Sequence, residues 1–361
     1  MAVLPNSYDK DRWCELTSIN ILAGSIILLN YHWLNYLSWP MKKRFSVVIV
    51  HRNGADMLLN TLSALASAWD GTRDEVFLVD NGSSDDSLER VAIAFPQTII
   101  IRNHCNNGFA RANNQAIARA TGEFILLLNS DAFIAADVLK RFEDDFRREP
   151  RVGVIAGQLQ DAAGRLQRSS GNVPTALNEL GLGFLKKKPV SVERDGLIET
   201  ETVVGACMAV RDATMREAGS LDNDFFFYGE DIEWCYRIRR YGWKVVVDPA
   251  ARVTHIKGGA TRGKRRGAQV EMLRARLQFY HKTMPPLAAS LLTFYRIIRL
   301  LINTVSNLLF VLLTLGMIKK LRDKLGVYLL QLAWLVLGKP EHWGLPDKCP
   351  RGCDPGVTSE P

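Results

Sequence analysis

The stretch Thr121-Gly-Glu-Phe-Ile-Leu-Leu-Leu-Asn-Ser-Asp131 contains five consecutive large apolar residues, followed at once by a polar segment that ends in a carboxylate. An apolar run without polar alternation is typical of a strand buried on both faces, as in a parallel sheet covered by helices. Ligands of such sheets bind beyond the carboxyl ends of the strands. The stretch therefore predicts a central strand, Phe124–Leu128, with Asp131 at the edge where a ligand would bind.

Upstream of this stretch, the pattern of a strand followed by a helix occurs three times. Phe45–Val50, Val76–Val79 and Thr98–Ile101 are short apolar runs rich in β-branched residues. The segments between them carry apolar residues on one face of a helix. This βαβαβαβ order predicts a mostly parallel sheet with helices on both faces. Asp80 directly follows the second strand, so we expect it at the same edge as Asp131.

The composition is that of a globular enzyme with an anionic partner. Of the 361 residues, 47% are hydrophobic and 23% are charged, which excludes a disordered chain. The formal net charge of +8 suits nucleic acid, an acidic membrane surface or a phosphorylated substrate. No recognisable motif concentrates that charge among aromatic residues, so we expect no nucleic-acid partner. The six cysteines are scattered, and we expect reduced thiols, as in the cytosol.

Both ends of the chain are apolar. Leu16–Trp39 is uncharged and long enough to span a bilayer, but its Asn and His residues oppose that, and Met41 is an alternative protein start. Leu300–Ile318 is also uncharged and apolar, and a second apolar stretch, Leu325–Gly338, follows it. Between these two stretches lies a basic cluster: Lys319, Lys320, Arg322 and Lys324. We expect the two stretches to associate with a membrane and the cluster to contact anionic headgroups; the alternative is a buried helical subdomain.

These observations predict four regions. Residues 1–40 are an N-terminal apolar segment or an upstream extension, and residues 41–285 form the α/β domain. Residues 286–338 form membrane-associating helices. Residues 339–361, rich in proline and glycine, are expected to form a disordered tail.

Asp80 and Asp131 are the first candidates for chemistry. A carboxylate after an early strand can accept hydrogen bonds from the base or ribose of a nucleotide. One after a central strand can hold a divalent cation that neutralises a departing pyrophosphate. The alternatives are structural. Asp80-Asn-Gly-Ser-Ser84 is a turn sequence whose Ser84 can cap the next helix, and Asp131 competes with Asp137 to cap the helix after it.

Glu230-Asp231 and His255 are the remaining candidates. The carboxylate pair follows the aromatic run Phe225–Tyr228, where partial desolvation would make a useful base; taken alone, the pair fits better as first-turn residues that complement a helix dipole. His255 is either a loop histidine or a ligand of a metal or pyrophosphate. A glycine-rich basic segment follows, which either closes over phosphates or is a solvated charge run. Its charged residues are Lys257, Arg262, Lys264, Arg265 and Arg266.

Taken in order, these elements resemble the family 2 glycosyltransferases, and within them the rhamnosyltransferase-like group. The order and spacing of the motifs over about two-thirds of the chain make the resemblance specific, although each motif alone is weak. The resemblance implies an α/β chain with the GT-A (nucleotide-diphospho-sugar transferase) fold, a mostly parallel central sheet and, here, added C-terminal apolar helices. The matching motifs are Ser46-Val-Val-Ile-Val50, Val79-Asp-Asn-Gly-Ser-Ser-Asp85, Asn107-Gly-Phe-Ala110, Asn113-Asn114, Thr121–Asp131, Val204-Gly-Ala206, Phe226-Phe-Tyr-Gly-Glu-Asp231 and His255.

The resemblance also implies roles for single residues. Asp231, beside Glu230, matches the catalytic base, and Asp131 matches the last residue of the metal-binding D-x-D element. His255 is the second candidate ligand of that metal, Mg²⁺ or Mn²⁺. Asp80 matches the base-contacting aspartate. The nucleotide-sugar site is completed by Asn53, Asn107, Gly108, Gly205 and Ala206.

Two positions depart from the family pattern. His51-Arg52-Asn53 stands where many members have Thr-Tyr-Asn or Asn-Tyr-Asn, so an aromatic residue near the base is missing. Asn129 replaces the first aspartate of the D-x-D element.

The implied function is inverting, metal-dependent transfer of a sugar, with rhamnose as one candidate, from a dTDP- or UDP-sugar donor. The expected acceptor is a hydroxyl of a lipid-linked cell-surface glycan at the cytoplasmic face of the inner membrane. Two alternatives stay open. One is a transferase that loads polyprenyl phosphate directly, and the other is a catalytically inactive membrane scaffold of the same fold.

Overall fold

The computed structural model describes residues 42–182, 196–256, 265–345 and 348–349. The predicted N-terminal segment, residues 1–40, lies outside the described residues. So do residues 257–264 of the basic segment and residues 350–361 of the predicted tail.

The strands of the described chain form one large sheet and one small two-stranded antiparallel sheet. In chain order they are β1 (Phe45–His51), β2 (Glu75–Asp80), β3 (Ile99–Arg102), β4 (Phe124–Leu128), β5 (Ala132–Ile134), β6 (Val152–Gln160), β7 (Ser170–Gly171), β8 (Ile198–Glu199), β9 (Thr202–Val203), β10 (Cys207–Arg211) and β11 (Lys244–His255). Within the described residues, the large sheet has the order β3-β2-β1-β4-β10-β6-β11-β5, with β8 paired to β11, while β7 pairs with β9.

The sheet is parallel in its first half and mixed in its second. β1 runs parallel to β2 and β4, and β2 runs parallel to β3, as the βαβαβαβ pattern predicts. β10 is antiparallel to both of its neighbours, β4 and β6. Because β1, β2 and β4 are parallel, their carboxyl ends meet at one edge, and β10 starts from that same edge with Cys207 opposite Leu128.

Helices cover both faces of the sheet. They are α1 (Ala55–Ala66), α2 (Ser87–Ala94), α3 (Phe109–Ile117), α4 (Val138–Arg148), α5 (Ala176–Glu179), α6 (Asp212–Ala218), α7 (Glu230–Arg240), α8 (Arg265–Thr283), α9 (Pro286–Leu313) and α10 (Lys319–Val336). Successive strand residues point to opposite faces. Val47 and Ile49 therefore pack with α1, α2 and α4, while Val48 packs with α3, α6 and α7.

Two helix starts decide between alternatives that the sequence left open. The N-cap of α4 is Asp137, so Asp131 is not used as a helix cap. The N-cap of α2 is Asp86, so the expectation that Ser84 caps this helix is wrong. The backbone N–H of Ser84 instead donates to Asn53 Oδ1 at 2.8 Å, because Asn53 turns the chain after β1 with a left-handed φ of 57°.

The C-terminal helices pack as a layer of their own. Buried side chains of α8, α9 and α10, among them Tyr280, Leu292 and Trp334, form a third apolar core. α9 begins at Pro286, fourteen residues before the apolar stretch marked in the sequence, and ends at Leu313. Proline suits a first helical position because its missing N–H would have no partner there.

The chain after α10 returns along α8. The Arg274 guanidinium donates to the carbonyl oxygens of Pro340 at 3.0 Å and Trp343 at 2.8 Å, and Leu345 is buried. These residues belong to the segment for which the sequence predicts disorder, and in the described part hydrogen bonds from the half-buried Arg274 hold them in place.

One cysteine pair corrects the expectation of reduced thiols. Cys105 and Cys349, 244 residues apart in sequence, form a disulfide with a Cα–Cα distance of 5.2 Å. Cys207 and Cys235 are free and buried, and burial raises the pKa of each thiol to about 12. Cys14 and Cys353 lie outside the described residues.

Candidate active site

The predicted site residues gather at the carboxyl edge of β1, β2 and β4. Asp80 is the last residue of β2 and pairs in register with His51, the last residue of β1. Asp131 follows β4, and the backbone N–H of Asn129 donates to Ala206 O at 2.9 Å. That hydrogen bond places Gly205 and Ala206 at the same edge.

Asp80 closes the turn that it begins. Its carboxylate accepts from the backbone N–H of Ser83 at 3.1 and 3.2 Å and from Ser83 Oγ at 2.5 Å. Asn53 joins the same turn, since its N–H donates to Ser83 Oγ at 2.9 Å. The turn interpretation of Asp80 is therefore correct, and its buried carboxylate lies at the carboxyl edge of the sheet.

Asn107 and Gly108 lie in the loop that connects β3 to α3. Asn81 Nδ2 donates to Gly108 O at 2.9 Å, which anchors the loop to the turn after β2. Gly108 has a φ of 83°, and a Cβ there would lie 2.3 Å from Phe226 O. Within the part of the chain that the structure describes, the Asn107 side-chain nitrogen is buried without a hydrogen-bond partner, which leaves a donor available to a ligand.

Asp131 and His255 meet directly. His255 Nε2 lies 3.3 Å from Asp131 Oδ1, and the backbone N–H of Ile256 donates to Asp131 O at 2.9 Å. They meet because the end of β11 pairs with β5, directly after Asp131. Among the described residues no three His, Cys, Asp or Glu side chains converge as a closed metal site. The pair is therefore an open, two-ligand arrangement at most.

Asp231 lies against the Gly205 backbone. The Gly205 N–H donates to Asp231 Oδ2 at 3.2 Å, and the Ile232 N–H donates to Asp231 Oδ1 at 2.8 Å. A Cβ at Gly205 would lie 3.5 Å from the Asp231 Cβ, an ordinary contact distance. Two stretches that are 26 residues apart in sequence, Val204–Ala206 and Glu230-Asp231, therefore form one wall of the site.

Burial sets the electrostatics of the carboxylate pair. Burial raises the pKa of Glu230 well above its usual value, and the neighbouring Asp231 charge raises it further. Burial also raises the pKa of Asp231, although the Gly205 and Ile232 N–H groups oppose this by favouring the charged form. Glu230 Oε2 has no hydrogen-bond partner among the residues described, so Asp231 is the better placed of the two to hold a negative charge.

Three supporting residues were not singled out as site residues from the sequence. Thr61 Oγ1 donates to Ser130 O at 2.8 Å and fixes the turn that carries Asp131. Gln167 Nε2 donates to His255 O at 3.0 Å. Phe226 O accepts from Phe109 N at 2.7 Å and joins the β3–α3 loop to the segment that leads to Asp231. Only the aromatic run around Phe226 gave a signal in the sequence, because the other two contacts depend on tertiary structure.

Comparison with known proteins identifies the domain. The sequence model described as "Glycosyl transferase family 2" matches residues 46–212. The chain carries a family 2 glycosyltransferase domain. The resemblance seen in the motifs is confirmed, and so is the assignment of the chain as a glycosyltransferase.

Individual relatives agree with this family 2 assignment. The N-acetylglucosaminyl-diphospho-decaprenol L-rhamnosyltransferase of Mycobacterium tuberculosis is 25% identical over 207 residues, covering 52% of this chain and 67% of that protein. A poly-beta-1,6-N-acetyl-D-glucosamine synthase of Staphylococcus epidermidis is 24% identical over 212 residues, covering 57% of this chain and 48% of the synthase.

A solved structure confirms the GT-A fold of the glycosyltransferase. The mannosyltransferase from Pyrobaculum calidifontis, in complex with GDP-Man and Mn²⁺, superposes with a TM-score of 0.50 at 17% identity, covering 87% of this chain and 95% of that one. At this identity the likeness concerns the fold alone.

Proposed function

We propose that this glycosyltransferase inverts configuration while moving a sugar from a nucleotide-sugar donor to a hydroxyl of a lipid-linked glycan. The observation that carries the proposal is the 3.2 Å hydrogen bond from Gly205 N to Asp231 Oδ2. It holds a half-buried carboxylate, whose pKa burial raises, at the edge where β2 ends in Asp80 and where Asp131 follows β4. A base is most effective when its pKa lies near the working pH, and burial moves Asp231 in that direction.

The chemistry assigned to each residue follows from its position. Asp231 takes the proton of the acceptor hydroxyl as that oxygen attacks the anomeric carbon from the side opposite the nucleoside diphosphate. Asp80, with the Asn107 side-chain amide, borders the nucleotide, and the backbone at Gly205 and Ala206 borders the sugar. One in-line displacement then gives a product of inverted configuration.

Asp131 and His255 fit a divalent cation. One carboxylate oxygen and one imidazole nitrogen, 3.3 Å apart, leave the remaining positions to the diphosphate and water. Imidazole is a poor ligand of Mg²⁺, which prefers oxygen, so the pair favours Mn²⁺ over Mg²⁺. When bound, the cation neutralises the charge that develops on the departing diphosphate.

The donor class is open to direct measurement. Thermal shift with UDP, dTDP and GDP, each with and without Mn²⁺, tests nucleotide and metal together, because a ligand of the folded state raises its melting temperature. A Mn²⁺-dependent rise for dTDP or UDP, absent in Asp131→Ala and His255→Ala, supports the assignment. The absence of any shift in well-folded protein contradicts it.

The acceptor is proposed from the relatives and from the chain's own surface. The mycobacterial relative is named for a diphospho-decaprenol acceptor, and the +8 net charge suits phosphorylated lipids. Parallel assays with polyprenyl-diphosphate-linked GlcNAc and with polyprenyl phosphate separate the two lipid acceptors. We expect transfer to the diphosphate-linked sugar. If sugar is transferred only to polyprenyl phosphate, direct loading of polyprenyl phosphate replaces this proposal.

We also propose that α9 and α10 dock on an anionic bilayer at the cytoplasmic face of the membrane. In the described part of the chain, α9 is the one helix long and apolar enough to cross a membrane, with a mean hydropathy of 1.7. Its outward residues, including Val305, Leu309 and Leu313, are exposed, and the basic cluster follows at the start of α10. An apolar face flanked by exposed lysines fits an interface rich in anionic headgroups.

A further inference from the structure

The chain after α10 forms a strap that is anchored on α8. We define the strap as Pro340–Leu345 together with Lys348 and Cys349. Besides the Arg274 contacts, Trp334 Nε1 donates to Pro340 O at 3.1 Å, and the Leu345 N–H donates to Glu271 Oε1 at 3.2 Å. Glu271 is almost fully buried and also forms an ion pair with Lys348. Burying these charges is costly unless they are paired, so the strap's position on α8 is strongly specified.

The far end of the strap lies on the β3–α3 loop, residues 103–108. The Cys349 N–H donates to Asn106 O at 3.1 Å, and Lys348 forms an isolated parallel β-bridge with Asn106. The disulfide from Cys349 to Cys105 adds a covalent link at the same place. This loop carries Asn107, whose side-chain donor lacks a partner among the described residues.

Lys348 also reaches the segment that leads to Asp231. Its Nζ lies 4.5 Å from the centre of the Phe226 ring. The carbonyl of Phe226 accepts from Phe109 N, and the left-handed residues Tyr228 and Gly229 follow before Asp231. Lys348 therefore contacts the β3–α3 loop through its backbone and the segment that leads to Asp231 through its side chain.

We propose that the strap is a redox-sensitive clamp on the active site, in which Lys348 is a positioning residue and the Cys105–Cys349 disulfide locks the clamp. A dithiol breaks the Sγ–Sγ bond by transferring two electrons and two protons, and is itself oxidised to a disulfide. The strap then keeps only its hydrogen bonds, its ion pair and the contact with Phe226. Both sulfurs belong to half-buried residues, so a small dithiol can reach them.

The location proposed for the enzyme, at the cytoplasmic face of the membrane, bears on the redox state of the Cys105–Cys349 pair. Disulfides of cytosolic proteins are usually transient and redox-sensing, because glutathione and thioredoxin keep thiols reduced. At a cytoplasmic membrane face, the disulfide of the structure is therefore the oxidised, locked form, and reduction releases the clamp. The inference rests on the proposed function for the roles of Asn107 and Asp231 and for the cytoplasmic location.

Hydrogen exchange tests the clamp without any assay of turnover. Non-reducing peptide mapping should first find Cys105 linked to Cys349 in aerobically purified protein, and free thiols at both positions would overturn the lock. Dithiothreitol should then speed exchange at the Asn106–Phe109 amides about tenfold or more, since local opening would no longer strain a covalent bond. The exchange rates of Cys349→Ala should match those of reduced wild type and should not change when dithiothreitol is added. The clamp would be overturned if neither dithiothreitol nor Cys349→Ala changed the exchange rates of these amides.

Kinetics separate positioning from simple stapling of the C-terminus. Lys348→Met removes the charge and should raise the donor KM about five- to tenfold while kcat changes less. Lys348→Arg keeps a cation over the Phe226 ring, so its donor KM should stay near that of wild type. The matched control is Lys140→Met, which also removes a lysine–carboxylate pair, on exposed α4. A lower melting temperature with an unchanged KM would overturn the positioning role. Failure of wild type to bind any nucleotide would overturn the proposed function and leave the exchange result intact.

Discussion

Asp231 is held by two backbone N–H groups, from Gly205 and Ile232, that favour its charged form, while burial favours its neutral form. Asp231→Asn keeps the size and one hydrogen-bond acceptor but removes the base. Turnover should therefore fall about 10²- to 10⁴-fold. The nucleotide-dependent thermal shift should remain. Asp144→Asn, which removes an exposed carboxylate on α4, is the matched control and should leave both measurements unchanged. Near-normal turnover of Asp231→Asn would show that the base lies elsewhere.

The pH profile of the wild-type enzyme follows from the same carboxylate. Asp231 must be deprotonated to act, so kcat/KM should fall as the pH falls through its pKa. Because burial raises that pKa, the acidic limb should lie above the value of about 3.9 of an ordinary aspartate. A profile that stays flat down to that value would contradict the assignment of Asp231 as base.

Glu230 should lower the stability of the fold at neutral pH. Its pKa is raised in the folded state, so the unfolded chain loses this proton first. The free energy of unfolding therefore decreases as the pH rises from about 4.3 through the folded pKa. Glu230→Gln removes this penalty and should unfold at higher urea concentration than wild type at pH 7, with the difference shrinking towards pH 4. The exposed Glu89→Gln is the control, and a less stable Glu230→Gln at pH 7 would refute the prediction.

At the scale of elements, Gly108 decides how closely α3 approaches the segment before α7. Gly108→Ala adds a Cβ at 2.3 Å from Phe226 O, at a φ of 83°. The combination of strain and overlap should cost about 2–4 kcal/mol in urea unfolding and weaken nucleotide binding. Gly164→Ala is the matched control, because its φ is 76° and nothing lies within 4 Å. It should cost about 1 kcal/mol and leave binding unchanged. Equal costs would mean that the overlap relaxes freely.

The strands that the sequence predicted well are those whose burial is uniform. Phe124–Leu128 was predicted residue for residue, since both of its faces are covered. β11 runs from Lys244 to His255, far beyond its apolar start, which ends at Val247. The register shift between Asp248 and Arg252 brings polar residues into the strand and interrupts the apolar pattern. The charges of Arg296 and Arg299 kept the first half of α9 out of the apolar stretch Leu300–Ile318, although helices were predicted over residues 286–338 as a whole.

The site was predictable only where it depends on strand ends. Asp80 and Asp131 follow apolar runs, so the parallel sheet alone places them at one edge. The contact between Gly205 and Asp231 comes from packing between elements, and only the resemblance to a family suggested it. The pairing of Cys105 with Cys349 has no local signal at all, because a spacing of 244 residues does not specify a partner.

At the scale of the whole molecule, apolar and basic surface lie together at one end of the sequence. The described residues of α9 and α10 carry most of the large exposed apolar side chains. The basic cluster between their apolar stretches contributes four of the 46 lysines and arginines. A purely electrostatic surface would release the protein in high salt, whereas burial of apolar side chains persists. Docking should therefore weaken in high salt without disappearing.

Replacing Val305 and Leu309 by glutamate in one variant tests that docking. The two residues lie four positions apart on the exposed face of α9, and each charge would have to enter the headgroup region at a cost that wild type does not bear. Co-sedimentation with vesicles containing phosphatidylglycerol should fall at least about tenfold. Ile93→Glu, which charges an equally exposed apolar residue on α2, should bind like wild type. If the double variant binds vesicles normally while Ile93→Glu does not, the membrane contacts the α2 side of the domain. The lipid-linked acceptor must then approach the active-site edge from the α2 side.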